Sequence, residues 1–117
     1  MNADTLTELY RWAGFTNRKA AIYLLATACD GRLLETAVRT TEHGEPYVDP
    51  ARVQPAGHES GSEQRILALA YSLLTGEPVD LSWAVGNLDA TNALAVTNAI
   101  AIATGAAAQM PDANSQP

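Results

Sequence analysis

Residues 61–75, GSEQRILALAYSLLT, set the strongest limit on what this chain can fold into. At 3.6 residues per turn, Ile66, Leu67, Leu69, Ala70, Tyr71, Leu73 and Leu74 spread over more than half of a helix circumference. A helix apolar over so wide an arc has to be covered from several sides. The chain is therefore expected to build a helical bundle, with 61–75 as its central and most buried member. Gly76 ends the run and Pro78 prevents its resumption.

The preceding segments follow the same logic. Thr5-Leu6-Thr7-Glu8 has the spacing of a capping box, in which Thr5 covers one first-turn amide and Glu8 reaches back to another. Leu6, Leu9, Tyr10 and Ala13 then recur at helical spacing until Gly14. A second helix starts at Thr16 or Asn17 and is expected to run to Asp30-Gly31, with Ala21, Leu24, Leu25 and Ala28 on one face. Residues 33–41 admit two readings. Leu33, Leu34, Ala37 and Val38 fit a helix face, while Leu34, Thr36, Val38 and Thr40 alternate as in a strand. Helix is slightly favoured, with a short β-hairpin near 34–48 as the alternative. DPARVQPAGHE, residues 49–59, reads as a connector that Tyr47, Val48 and Val53 pin to the core.

Beyond Gly76, Asp80 is positioned to cap a short helix, LSWAV, that Gly86 terminates. Asp89 caps a last helix ending at Gly105, whose alanines allow close approach of neighbours around the larger Leu94, Val96, Ile100 and Ile102. The expected fold is mainly α. A single helical domain spans 1–105, with the 61–75 helix packed on the 89–104 helix and on the N-terminal pair. The tail 106–117 lacks apolar periodicity and is expected to be disordered.

At 117 residues the chain fits one domain, able to bury about 65% of the surface its unfolded form exposes. Its single cysteine, Cys29, cannot form an internal disulfide and points to a reducing compartment, the cytoplasm. The first ten residues carry early acids and no basic flank, so no secretory signal is expected. The most apolar stretch, 93–108, is short for a membrane span, rich in alanine and interrupted by Asn98, so no membrane association is expected. Charge is unevenly placed. Residues 1–41 hold five basic side chains against four acids, whereas 42–117 hold Arg52 and Arg65 against nine acids. A surface of that sign repels nucleic acid over most of its area.

Each stretch that suggests chemistry also has a structural reading. Ser60-Gly61-Ser62-Glu63 lies at the head of the most apolar helix with the S-x-x-E spacing, so Ser60 and Glu63 are expected to satisfy each other's backbone amides rather than grip a substrate. His43, Glu45, Asp49 and His58 match no familiar metal-binding spacing, and neither metal nor cofactor is expected. Cys29 sits at the far end of an apolar helix, away from the N-terminus that would activate it. No Walker A, G-x-S-x-G or G-x-G-x-x-G sequence occurs. Arg11, Arg18 and Lys19 form a weak basic patch at the start of the second helix, the position from which a recognition helix reads bases. Trp12 and Trp83 are read as anchors of the core, with an interface role as the alternative. Asn92, on a stripe with Val96, Ala99 and Ala103, is expected to tie the backbone of the VGNLD turn to the last helix.

SGSEQRILALAYSLLTGEPVDLSWAVGNLDATNALAVTNAIAIATG, residues 60–105, resembles a segment of small uncharacterised proteins of actinobacteria and their phages. Those share an S-G-E-R-like opening before an apolar helix, then a V-D-L turn and an L-D-x-x-N helix. The resemblance implies a shared helical fold and carries no activity.

With no catalytic constellation in the sequence, the expected function is non-enzymatic. A small acidic protein of this kind would bind another protein, including a second copy of itself, for instance as a phage- or plasmid-borne accessory or inhibitor protein. A DNA-associated regulator using Arg11, Arg18 and Lys19 is the alternative.

Overall fold

Caps place the helices, and the first lies earlier than its spacing suggests. The computed structural model describes residues 1–57 and 59–106. Helix α1 (Ala3–Ala13) has Asn2 as its N-cap, and the Asn2 Oδ1 accepts the Thr5 amide at 2.8 Å. The capping box expected at Thr5 and Glu8 is therefore replaced. Thr5 is a first-turn donor and Glu8 an exposed residue of the following turn. Asparagine is at least as good a cap as threonine, and the earlier start lengthens the helix.

Helix α2 (Thr16–Thr27) is buried without a break from Ala20 to Leu25. Helices α5 (Gly61–Thr75) and α7 (Ala90–Ala103) pack on it from two sides, and α1 packs on it as well. The centre of the molecule is thus α2, not the 61–75 helix expected there. Both α5 and α7 lean on α2 more than on each other. The cause lies in where water is needed. Between Ala20 and Cys29 there is no charge, whereas α5 opens with Glu63, Gln64 and Arg65 and must keep one side wet. Ala20 and Ala21, fully buried, also let both neighbours approach the α2 backbone.

Helix α2 stops at Thr27, short of the expected Asp30. Ala28–Gly31 forms a 3-10 turn in which Cys29 (φ 53°, ψ 38°), Asp30 (φ 61°, ψ 22°) and Gly31 (φ 76°, ψ 1°) are all left-handed. Glycine is required at the last of these, because a Cβ there would lie 2.8 Å from the Ala26 carbonyl oxygen. Cys29 and Asp30 have no such freedom, and the conformation costs about 1–2 kcal/mol at each.

Both readings of 33–41 are realised in succession. Helix α3 (Arg32–Ala37) buries Leu33, Leu34 and Ala37 and runs directly into β1 (Val38–Thr40). This strand pairs antiparallel with β2 (Pro46–Val48), setting Val38 opposite Val48 and Arg39 opposite Tyr47. The connector contains a single helical turn, α4 (Pro50–Val53), begun by Asp49, which accepts the Ala51 amide, and by Pro50 at its first position. Val48 and Val53 are fully buried and hold this segment to the core. Helix α6 (Leu81–Val85) starts at Asp80, whose Oδ1 accepts the Trp83 amide at 3.2 Å, and α7 starts at Asp89.

The result is a mainly helical single unit with one small hairpin. Among the described residues no helix is long and apolar enough to cross a membrane. Among them, too, no buried side-chain nitrogen or oxygen lacks a hydrogen-bond partner. The expectation for the tail falls, from Ala107 onward, outside the described residues, as does His58.

Candidate functional site

Three segments distant in sequence meet where α2 ends and where α5 and α7 begin. They line a polar cleft of about 340 Å³ that includes Cys29, Arg32, Ser60, Glu63, Asp89 and Asn92. Helix starts attract anions through their unpaired amides, but here the chain's own side chains take those positions. The Ser60 Oγ accepts the Glu63 amide at 3.2 Å, and the Glu63 carboxylate accepts the Ser60 amide at 3.0 Å, which completes a capping box. At α7 the Asp89 Oδ1 accepts the Asn92 amide at 2.8 Å. The Ser60 backbone N–H, then its hydroxyl, hold the Glu63 carboxyl below its ordinary range.

The strained turn is gripped at both ends of one residue. The Cys29 amide donates to Asn92 Oδ1 at 3.0 Å, and its carbonyl accepts from Arg32 Nε at 3.2 Å. Arg32 also pairs with Glu63 at 3.5 Å, which ties the turn to the start of α5. Asn92 is 5% exposed, and its Nδ2 reaches Asp89 Oδ2 at 3.5 Å and the Cys29 sulfur at 3.8 Å. The partner expected for Asn92 was the VGNLD turn beside it. The actual partner is the 3-10 turn, 63 residues away, and nothing local in the sequence signals it. Burial, and then the Glu63 charge, push the Cys29 thiol up, so it remains protonated and weakly nucleophilic. Among the described residues no histidine lines this cleft. What the arrangement does chemically is satisfy two helix starts and hold a left-handed turn in place.

A second feature lies on the outer surface. Among the described residues the exposed large apolar side chains are Met1, Phe15, Leu81, Trp83, Val85, Leu94 and Ile100, and five of these fall between Leu81 and Ile100. From residue 81 to residue 106 the sole charged side chain is Asp89, already engaged as a cap. Helix α7 turns Asn92, Ala95, Val96, Ala99 and Ile102 inward and leaves Leu94 61% and Ile100 43% exposed. Two of its polar side chains, Thr97 and Asn98, bond within the molecule. The Thr97 hydroxyl donates to the Ala93 carbonyl at 2.9 Å, and Asn98 Nδ2 donates to the Tyr23 hydroxyl at 3.0 Å. Trp83 is 41% exposed yet fixed: Arg65 donates through Nε to its carbonyl at 2.9 Å and lies 5.2 Å from its ring centroid.

The basic residues of the N-terminal region do not form a row. The Arg18 guanidinium lies over Trp12 at 5.2 Å and over Phe15 at 4.8 Å. Arg11 lines a separate cleft of about 500 Å³ beside Glu8, Glu45 and His43. Trp12 is half-buried against Tyr47, with ring centroids 6.4 Å apart, so it anchors α1 to the hairpin. Lys19 is half-buried at the first turn of α2. Among the described residues no three His, Cys, Asp or Glu side chains gather as a metal-binding group. Comparison of the chain with protein-family models, with curated proteins and with solved structures yields no match.

Proposed function

We propose that this protein acts without catalysis, by binding another protein through the outer face of α6 and α7. One observation carries the reading: most of the exposed large apolar side chains gather on a stretch whose only charge is a helix cap. A patch of this kind, with the Thr97 hydroxyl and the Asn98 amide nitrogen already bonded inside, loses little on dehydration there and gains from every apolar contact. Trp83, held by Arg65 before any partner arrives, has the rigidity of a binding anchor. The compartment this implies is the reducing cytoplasm, on the strength of a lone thiol at Cys29. The resemblance of residues 60–105 to small actinobacterial and phage proteins fits an accessory protein of this type.

The DNA alternative is weaker on physical grounds. A recognition helix needs one free side, whereas α2 is enclosed by α1, α5 and α7 beyond its first turn.

Site-specific photo-crosslinking in cells tests the proposal. A photoreactive residue at Leu81 or Leu94 should give covalent adducts to protein, while the same residue at Glu35 on α3 or Glu42 in the hairpin turn, both exposed, should not. Equal labelling from all four positions, or none from the first two, refutes it.

A further inference from the structure

We infer that the cleft between α1 and the hairpin is a binding site for a small neutral sugar. This goes beyond the protein-binding reading, since neither α6 nor α7 lines the cleft. Its volume of about 500 Å³ lies within the range of roughly 300–1,000 Å³ found for small-molecule sites. Glu8, Arg11 and Trp12, spaced three and four residues apart, share one side of α1 and form one wall. Thr41, Glu45 and Tyr47 belong to the other wall, built by the hairpin.

Both walls are fixed before any ligand arrives. The Thr41 hydroxyl accepts the His43 and Glu45 amides, each at 3.2 Å, and the Thr41 amide donates to the Glu45 carbonyl at 2.9 Å. In β2, Pro46 and Val48 are buried, so Tyr47 between them turns to the opposite side of the strand. There its ring meets Trp12, with centroids 6.4 Å apart and planes inclined at 50°. Arg18, which does not line the cleft, lies 5.2 Å from the indole centroid and steadies the ring from outside. The two rings therefore form a rigid aromatic corner, and preorganisation of this kind lowers the entropic cost of binding.

The polar groups around that corner are unspent. Among the described residues, the side chains of Glu8, Arg11 and Glu45, the Trp12 indole N–H and the Tyr47 hydroxyl make no hydrogen bond or ion pair. Carboxylates accept and a guanidinium donates in planar pairs, a geometry that matches adjacent hydroxyls on a sugar ring. The C–H groups on the flat side of such a ring are polarised positive and suit the negative face of an aromatic side chain. Charge selects a neutral ligand. Glu8 and Glu45 stand against Arg11 in the same lining, so an anion meets two like charges and a cation meets one. A hydroxyl, donor and acceptor at once, meets none.

Titration of the isotope-labelled full chain with glucose, galactose, mannose and N-acetylglucosamine, each up to about 50 mM and followed by NMR, is the test. At least one sugar should shift the Trp12 indole N–H and the amides of residues 41–47 saturably, with a Kd of about 10 mM or tighter, and leave Leu94 and Ile100 unmoved. Raising the salt should change that affinity by less than about twofold, because no charge is bound. Glucosamine and glucuronate, a cation and an anion on the same ring, should bind no more tightly than glucose. Trp12→Ala removes the aromatic wall together with the anchor of α1, so the deciding variants are Arg11→Ala and Glu45→Ala, both at exposed positions. Each should weaken binding by about fivefold or more with the circular dichroism unchanged. The absence of a saturable shift from all of these sugars overturns the inference. Tighter binding of a charged analogue, shifts that map elsewhere, or an affinity that both variants leave unchanged overturns it equally.

Discussion

Asn92→Ala should remove the one acceptor that holds the Cys29 amide, and its cost can be worked from the structure. Asn92 is 5% exposed and its Oδ1 is 3.0 Å from that amide. Leaving a largely desolvated donor unpaired costs about 1–3 kcal/mol. The turn it stabilises has two non-glycine left-handed residues, each about 1–2 kcal/mol above an ordinary conformation, so little reserve exists to absorb the loss. We expect about 2.5 kcal/mol of destabilisation, or a fall in Tm of about 10 °C for a domain of this size. Urea unfolding followed at 222 nm measures it, with an unchanged m-value as the sign that the native state keeps its compactness. Asn92→Asp should do less harm, because the acceptor is retained. Its new charge faces Asp89, so added salt should recover part of the loss. Asn98→Ala, which loses only a bond to the Tyr23 hydroxyl, should cost about 1 kcal/mol and serves as the control. A change below about 0.5 kcal/mol for Asn92→Ala would mean that the clamp contributes nothing, and the account of the junction would fall.

Gly31→Ala should destabilise by about 2 kcal/mol or more, since it combines a φ of +76° with a Cβ 2.8 Å from the Ala26 carbonyl; thermal melts would show it. Ser60→Ala should cost about 1 kcal/mol of the same stability. Glu63→Gln tests the linkage to pH. The folded Glu63 carboxyl titrates below its ordinary value, so between the two values the unfolded chain binds more protons. That stability is fully present above the ordinary carboxyl range and is lost as the pH falls through the folded value; Glu63→Gln should flatten this acid limb in a series of urea titrations. Duplex DNA titrated with the protein at low salt should show no binding with a steep salt dependence, and a steep slope would revive the regulator reading.

Local signals in the sequence were legible at most helix starts, though not at the first, where Asn2 and not Thr5 is the cap. Ser60, Glu63, Asp80 and Asp89 act within three residues of themselves, and the structure places them at helix starts. The hairpin was legible as an alternative because Val38 and Thr40 alternate, while Leu33, Leu34 and Ala37 match a helix; the chain uses each pattern on its own residues. Two readings failed where distant parts decide. A wide apolar arc marks a helix as covered but does not rank it against another, and α2 outranks α5 because it lacks charge after Lys19. Likewise, Asn92 is visible as an uncomfortable polar residue, but its partner is 63 residues away, in a turn whose left-handed Cys29 and Asp30 have no sequence signature. The outer face was foreshadowed by the apolar excess of the last helix.

The placement of α2 at the centre has a consequence for synthesis. Its principal covers, α5 and α7, are translated long after it; the last of them follows by about seventy to eighty residues, or some 4–16 s at ordinary ribosome speed. Until they emerge, the stretch from Ala20 to Leu25 lacks its two principal covers and can lean only on the earlier helices α1 and α3.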